Sequence, residues 1–182
     1  MFLVNWLTSL LVNMRAIQQG LLLAAALLLL TACSFQLRGN YQLVSQLDAV
    51  SLEAPARSEI ATIVNEVLTQ RNVKVLNQGT NIIHVKLQPD RFDRRILSML
   101  ASGQVAEYEL IYVLPVTLSA ANGDSSHHTI QILRDYQDDP NFALAKIREL
   151  ELLVTEMRND AAHRLLLLLN QFALDQAANG QE

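Results

Sequence analysis

This sequence of 182 residues contains one cysteine, four prolines and six glycines. A single cysteine excludes an internal disulfide framework, so an oxidising compartment is tolerated but stability has to come from packing. Six glycines leave little material for a glycine-rich phosphate loop, and neither a G-x-S-x-G elbow nor an H-E-x-x-H pair occurs. The composition therefore disfavours an enzyme.

An excess of basic residues is also missing. Lysine and arginine number 14 against 18 acidic residues, which gives a formal net charge of −4. General binders of nucleic acids or of anionic membranes carry a basic excess, so we expect neither class here. A local basic patch is compatible with the composition.

A short apolar segment near the amino terminus is the most informative feature that is present. Leu21–Ala32 is apolar over a dozen residues, whereas a membrane-spanning helix needs about 20. Arg15 lies upstream, two small residues come last, and Cys33 follows, where its thiol can be alkylated with lipid. We therefore predict a lipoprotein signal peptide over residues 1–32 and a covalent lipid anchor on Cys33, with no other cofactor.

Two other interpretations of this leader stay open. It could be an uncleaved membrane anchor, or an ordinary secretory signal in which Cys33 is only a small buried residue. A better-formed signal starts at Met14, so the true start codon could lie there. Without the leader the chain has 13 basic and 18 acidic residues, a net charge of −5.

The chain after the leader is long enough for one domain. We predict a single α+β domain over residues 33–174, lipid-anchored at Cys33, and a disordered polar tail over residues 175–182. The predicted architecture is a two-layer sandwich, in which a mixed four-stranded sheet carries two α-helices on one face. The predicted strands are 47–54, 83–87, 105–119 and 129–136, with one helix from Ser58 to about Arg71 and a longer one from Pro140 to about Leu168.

Particular residues support this element order. Ser58 is a predicted helix cap, and the apolar residues after it recur at helical spacing. Residues 105–119 alternate with period two, and Asn122-Gly123 predicts a hairpin. Pro115 interrupts the third strand, so we expect its missing N–H to face an edge or a bulge. The apolar stripe of the second helix is predicted to cover one face of the sheet.

One basic cluster lies between the second and third predicted strands. It consists of Arg91, Arg94 and Arg95, which we expect to be exposed on a loop or at a strand end. Guanidinium groups suit phosphate recognition. The alternative is a solvated turn that Asp90 and Asp93 balance.

No catalytic or metal-binding constellation is predicted. Glu107 and Glu109 share one strand face, where two solvated glutamates are the simpler interpretation. His127 and His128 are neighbours on a strand, so their side chains point to opposite faces and do not form a metal site.

Four ordered motifs resemble the LptE family of lipopolysaccharide-assembly lipoproteins. They are Phe-Gln-Leu-Arg-Gly just after Cys33, Gly-Gln-Val-Ala-Glu-Tyr opening the third strand, Arg-Asp-Tyr leading into Asp-Asp-Pro and Ala-Leu-Ala-Lys, and Glu-Met followed by Asp-Ala-Ala. The resemblance extends from Cys33 to about Leu169.

The resemblance implies a non-enzymatic outer-membrane lipoprotein. Such a protein sits as a plug inside the lipopolysaccharide-transport β-barrel LptD, supports assembly of that barrel, and binds lipopolysaccharide for delivery to the outer leaflet. Ser34 after Cys33, instead of aspartate, agrees with outer-membrane sorting. A compact domain of this size has a radius of gyration of roughly 15 Å, so the enclosing barrel has to be large.

The resemblance also implies basic residues that bind lipopolysaccharide. One family position matches Lys146, but the other, an arginine in the family, is Ala101 here. Arg94 or Arg95 could supply the lost charge. Two alternatives stay open: a lipid-anchored periplasmic hydrolase, and a periplasmic scaffold that binds protein but no glycolipid.

Overall fold

Six strands and two long helices form the part of the chain that the computed structural model describes, residues 47–77, 79 and 81–179. The predicted signal peptide (1–32), the start at Met14 and the lipid site at Cys33 lie outside these residues. In chain order the elements are β1 (Ala49–Glu53), α1 (Glu59–Gln70), β2 (Lys74–Leu76), β3 (Ile83–Leu87), β4 (Arg91–Met99), β5 (Val105–Ser119), β6 (Ser125–Gln137), a 3₁₀ turn (Pro140–Phe142) and α2 (Ala143–Asn179).

Helix α1 begins and ends at residues that are suited to these positions. The side chain of Ser58 accepts a hydrogen bond from the N–H of Ala61 at 3.3 Å, as expected of an N-cap. At the other end Asn72 has a φ of 61°, and the N–H of Val73 donates to the carbonyl of Leu68 at 3.0 Å. The predicted apolar stripe is confirmed, because its residues are buried: Ile60, Val64, Val67 and Leu68.

The sheet is mixed, as predicted, but it has six strands where four were expected. β1 is parallel to β2 and β3, whereas β5 is antiparallel to β3, β4 and β6. Both helices pack on one face of the sheet and enclose a single hydrophobic core. The predicted two-layer α+β architecture is therefore confirmed.

Strands β3 and β4 share one edge of β5. Strand β6 pairs along nearly the whole of the opposite edge, so β3 and β4 lie one after the other. Leu87 pairs with Val116 and Arg91 pairs with Val113, so one extra residue separates the two strands. This one-residue shift is a bulge in the ladder that the two strands form with β5.

Pro115 lies opposite this bulge. The N–H of Gln88 donates to the carbonyl of Pro115 at 3.0 Å. Within a strand, the N–H and the C=O of one residue point to the same edge, so the N–H that proline lacks would point at the bulge. The prediction that Pro115 faces a bulge is confirmed, and the ladder tolerates a proline here because it is already interrupted.

The two strands that the sequence did not predict have no alternating apolar pattern. β2 is only three residues long, and eight of the nine residues of β4 are exposed. Alternation arises when one face of a strand is buried, which is not the case for β4. The prediction that Arg91, Arg94 and Arg95 lie on a loop or at a strand end is wrong for Arg94 and Arg95, which lie within β4, whereas the predicted exposure of all three is confirmed.

Two hairpins join β4 to β5 and β5 to β6. Gly103 has a φ of 84° and Gly123 a φ of 94°, which side-chain-bearing residues rarely adopt. In the first hairpin the N–H of Leu100 donates to the carbonyl of Gln104 at 2.8 Å. The second is the hairpin that Asn-Gly predicts.

The two halves of α2 differ in burial. No side chain of residues 143–156 is buried, and Leu144 is 80% exposed. The predicted apolar stripe is therefore fully buried in the second half only, whereas in the first half Leu150 and Leu153 are partly buried against the core. The buried residues of the second half are Met157, Ala161, Ala162, Leu165, Leu166, Leu169, Phe172 and Ala173.

We name the two ends of the domain by this difference. The open end comprises β4, the residues of β5 and β6 alongside it, and residues 143–156 of α2. The packed end comprises β1, β2, β3, α1, the remainder of β5 and β6, and residues 157–179 of α2. The polar network at the bulge, described below, lies between them.

The carboxyl end departs from the prediction of a disordered tail over 175–182. Helix α2 continues to Asn179, and residues 180–182 lie outside the described part. The extension is held because Gln176 accepts a hydrogen bond from Asn122 at 3.0 Å and Asp175 accepts one from Gln171 at 2.9 Å. Within the described residues, no helix has the length and apolarity needed to cross a membrane.

Candidate functional site

Two cations stand over neighbouring aromatic rings at the open end. Tyr108 on β5 is directly opposite Tyr136 on β6. The guanidinium carbon of Arg94 lies 5.0 Å from the centre of the Tyr108 ring, and Nζ of Lys146 lies 4.9 Å from the centre of the Tyr136 ring. Such contacts attract through the negative face of the ring, so both cations are held on the helix-bearing side of the sheet.

Lys146 is positioned by two further contacts. Its Nζ lies 2.8 Å from a carboxylate oxygen of Glu149, and its side chain is only 16% exposed. The hydroxyl of Tyr136 donates to the backbone carbonyl of Lys146 at 3.0 Å, which ties the first turns of α2 to β6. The hydrogen bond to Glu149 raises the pKa of Lys146, so this side chain stays charged at neutral pH.

Burial raises the pKa of Tyr136, so its ring stays neutral beneath the cation. Four charged groups act on this hydroxyl: Asp138 and Glu149 raise its pKa further, whereas Lys146 and Arg94 lower it. Lys146 and Arg94 are therefore part of one electrostatic cluster. Two carboxylates partly neutralise that cluster.

The structure separates two arginines that the sequence placed together. Arg94 pairs with Leu110 on the helix-bearing side, whereas Arg95 pairs with Glu109 on the other side. Arg95 also forms an ion pair with Glu109 at 2.7 Å. Because neighbouring strand residues point to opposite faces, only Arg94 shares a face with Lys146. A role for either arginine in ligand binding stays a prediction.

Ala101 lies in the hairpin between β4 and β5 and is exposed. No cation is supplied at that position. Arg94, on the preceding strand, is the cation of the predicted cluster that lies over Tyr108, so it is the better candidate to replace the missing charge. This replacement also stays a prediction.

A groove at the tip of the open end has both apolar and acidic walls. Lys146 lines it together with Met99, Phe142 and Glu107. The Ser98 hydroxyl and the Gln137 amide donate to Glu107, and these hydrogen bonds lower its pKa. Two further acidic residues line the groove, Asp138 and Asp139. The charge of the groove therefore does not favour an anion.

A polar network that the sequence did not predict joins the two ends at the bulge. The hydroxyl of Tyr112 donates to Asp90 at 2.8 Å, and Arg158 lies 2.7 Å from Glu59 and 3.9 Å from Asp90. Burial and the adjacent Asp90 carboxylate raise the pKa of Tyr112 well above its usual range. These four residues are far apart in sequence, and no local motif could have revealed their contact.

The described residues offer little for catalysis. No group of three or more histidine, cysteine or acidic side chains in this part of the chain could hold a metal ion. Ser51 and His84 are within hydrogen-bond distance at 2.5 Å on the face away from the helices. His127 and His128 point to opposite faces, where they bond to Thr117 and Ser126 respectively.

Comparisons with known proteins identify the family. A sequence model of the family LptE, described as lipopolysaccharide-assembly, matches residues 40–169. The chain belongs to the LptE family. The LPS-assembly lipoprotein LptE of Photorhabdus laumondii is 30% identical over 148 residues, which cover 80% of this chain and 81% of the relative. The corresponding protein of Pectobacterium atrosepticum is 28% identical over 149 residues, covering 80% and 81%.

A solved structure supports the same assignment. The crystal structure of rare lipoprotein B from Shewanella oneidensis is 36% identical and has a TM-score of 0.63, covering 74% of this chain and 99% of that one. Membership of the LptE family makes this chain a lipopolysaccharide-assembly lipoprotein. That role is not enzymatic, so the prediction against an enzyme is confirmed and the hydrolase alternative is wrong.

Proposed function

We propose that this lipoprotein is anchored to the outer membrane through lipid on Cys33, binds lipopolysaccharide, and forms a plug inside the transport barrel LptD. Family membership and the leader sequence support the anchor and the partner. The arrangement of Arg94 and Lys146 over two opposed tyrosines carries the proposal of lipopolysaccharide binding. The protein would face the periplasm and use no cofactor besides its covalent lipid.

The anchor proposal concerns Cys33. A stable anchor needs two or three acyl chains, because each buried methylene contributes about 0.8 kcal/mol and one chain binds reversibly. Metabolic labelling with palmitate should mark the protein, and Cys33→Ser should abolish the label and release the protein from the outer-membrane fraction. An unlabelled wild-type protein would remove the anchor from the proposal.

Charge and geometry support lipopolysaccharide binding at the open end. Arginine and lysine are the side chains that bind phosphate groups, and stacking on a ring restricts their motion. Preorganised cations lose less conformational entropy when they bind an anion. Arg94 is exposed, and within the described residues no carboxylate lies within ion-pair distance of its guanidinium.

Charge reversal tests this site. Arg94→Glu and Lys146→Glu should each weaken binding of purified lipopolysaccharide about tenfold, since each replaces an attraction by a repulsion. Arg95→Glu is the matched control, because Arg95 lies on the same strand and points away. Equal losses for all three variants would indicate only general charge attraction, and unchanged affinity for Arg94→Glu and Lys146→Glu would discard the site.

The proposed complex with LptD rests on family membership and on the kind of surface available. The face of the sheet away from the helices carries polar and charged side chains, among them Glu109, Arg95 and Lys86. A barrel lumen is polar and wet, so such a face requires no lipid contact there. Affinity purification in detergent followed by mass spectrometry should recover LptD with the tagged wild-type protein.

The lipopolysaccharide-binding measurement separates the proposal from the periplasmic-scaffold alternative. A scaffold would recover a protein partner but would bind no lipopolysaccharide. Recovery of a free monomer under conditions that preserve outer-membrane complexes would contradict the plug role. Binding of lipopolysaccharide by the monomer would then leave only the ligand part of the proposal standing.

A further inference from the structure

An apolar–cation–apolar row runs along β4 on the helix-bearing side of the sheet. Phe92, Arg94 and Ile96 alternate along the strand, and their cross-strand partners on β5 all point towards the helices. Alternate residues of a strand are about 7 Å apart, so the guanidinium is flanked on each side by an apolar side chain. This row is an addition to the basic residues of the proposed function.

Neither helix covers this row. Phe92 is 40% exposed and Ile96 is 53% exposed, although the β5 residues beside them are largely buried. The core does not need these two side chains, because they lie outside the set of residues that forms it. Exposed apolar groups around a cation are typical of a surface that binds an amphipathic ligand.

The backbone of β4 argues against a partner strand at this edge. The backbone N–H and C=O groups of Arg91, Asp93 and Arg95 point towards β5. The residues between them direct their N–H and C=O groups outwards, away from β5. The outward N–H of Arg94 is already bonded, because the Asp93 carboxylate accepts it at 2.8 Å. This cap removes one of the backbone donors that an added strand would use, which favours an occupant that is bound by the side chains.

We propose that Phe92, Arg94 and Ile96 bind the acylated, phosphorylated part of lipopolysaccharide, with Arg94 at a phosphate and the two apolar residues along acyl chains. This inference rests on the proposed function, since it names which part of the glycolipid the open end recognises. The charge of a phosphate complements a guanidinium that forms no ion pair among the residues that the structure describes. Contact between acyl chains and two side chains removes apolar surface from water.

The test compares two probes with one set of full-length variants, purified in detergent. The probes are fluorescent lipid A and the same phosphorylated disaccharide after removal of its acyl chains, and binding is followed by anisotropy. The Phe92→Thr/Ile96→Thr double variant should bind lipid A about tenfold more weakly and the deacylated probe as the wild type does. Arg94→Gln should weaken binding of both probes.

Leu133→Thr is the matched control, because Leu133 is 50% exposed on the opposite face of the sheet. It should bind both probes as the wild type does. A photo-crosslinking residue at position 92 should label with lipid A, whereas one at position 133 should not. Crosslinking reports contact with the lipid directly. Its interpretation therefore does not require a loss of binding to be distinguished from a loss of stability.

The outcomes distinguish this inference from the proposed function. If the wild type binds neither probe, lipopolysaccharide binding itself fails. If the wild type binds lipid A and the double variant binds it equally, the row has no acyl-chain role and the inference is overturned. An equal loss of lipid A binding for Leu133→Thr would also overturn the inference. If the double variant loses recovery of LptD but binds lipid A as the wild type does, the row binds a protein partner and the inference is overturned as well.

Discussion

The packed end and the open end of the domain use one long helix in different ways. In residues 157–179 of α2 eight side chains are buried, whereas residues 143–156 bury none and expose Leu144 and Ile147. At the packed end the sheet is five strands wide and carries both helices. At the open end the sheet is three strands wide and carries one helix. Both halves of the helix are rich in leucine, so composition does not explain the difference.

The difference separates stability from recognition. Burial of apolar side chains stabilises the packed end, which makes its leucines structural. At the open end the exposed apolar residues stabilise the fold little, and the cations there are held by aromatic rings. The apolar residues exposed at the open end therefore remain available for contacts outside the fold.

The largest expected effect tests this separation within the one helix. Leu169 is fully buried, so Leu169→Ala should lower the free energy of unfolding by about 2–5 kcal/mol. Leu144→Ala, the same change in the exposed half, should alter it by less than about 0.5 kcal/mol. Urea unfolding measures both. A similar loss for both variants would contradict the division of the helix.

A second prediction concerns the network that joins the two ends. Asp90→Ala removes the acceptor of the buried Tyr112 hydroxyl and a carboxylate near Arg158, and should lower the free energy of unfolding by about 1–3 kcal/mol. Asp93→Ala, three residues along on the exposed strand, should change it by less than about 0.5 kcal/mol. Equal stability of both variants, measured by urea unfolding, would show that the network is dispensable.

The same division explains how far the sequence predicted the fold. Elements of the packed end bury one face, which produces the 3.6-residue period of α1 and the alternation of β3 and β5. β4 has no covered face and therefore no period, so the sequence predicts a loop or a strand end for its arginines and not a strand. The fold class was predicted correctly because the packed end determines it.

The candidate site was predictable only in part. Lys146 and Arg94 were named from motif and charge, but their common face follows from the register of β4, a strand that was not predicted. Without that register Arg95 could not be separated from Arg94. The ring contacts with Tyr108 and Tyr136 need the cross-strand pairing, which no local pattern contains.

A third prediction sharpens the electrostatics of the open end. Glu149 partly neutralises Lys146, so Glu149→Gln should tighten lipopolysaccharide binding about twofold to fivefold at low salt. Removing the carboxylate lets the pKa of Lys146 fall towards its usual value, which still leaves it charged at neutral pH. Salt titration of the affinity should abolish the gain, since an exposed ion pair is screened.

Glu151→Gln is the control for this prediction. Glu151 is exposed on the same helical segment, and its side chain forms no ion pair within the described residues. It should leave the affinity close to that of the wild type. An equal gain for both variants would show that net charge, not the pair with Lys146, governs binding.

The smallest effect concerns Glu107 and the acid stability of the open end. Hydrogen bonds from Ser98 and Gln137 lower the pKa of Glu107 in the folded state, so its contribution to stability is present above the usual glutamate range. That contribution is lost as the pH falls through the lowered folded pKa. Glu107→Gln should therefore flatten the decline of stability between about pH 6 and pH 3, measured by urea unfolding at each pH.

Ser98→Ala removes the largest cause of the lowered pKa of Glu107 and should also flatten the decline of stability, but less. A Ser98→Ala protein with the wild-type pH profile would show that the hydrogen bond between these two side chains does not stabilise the junction of β4 and β5.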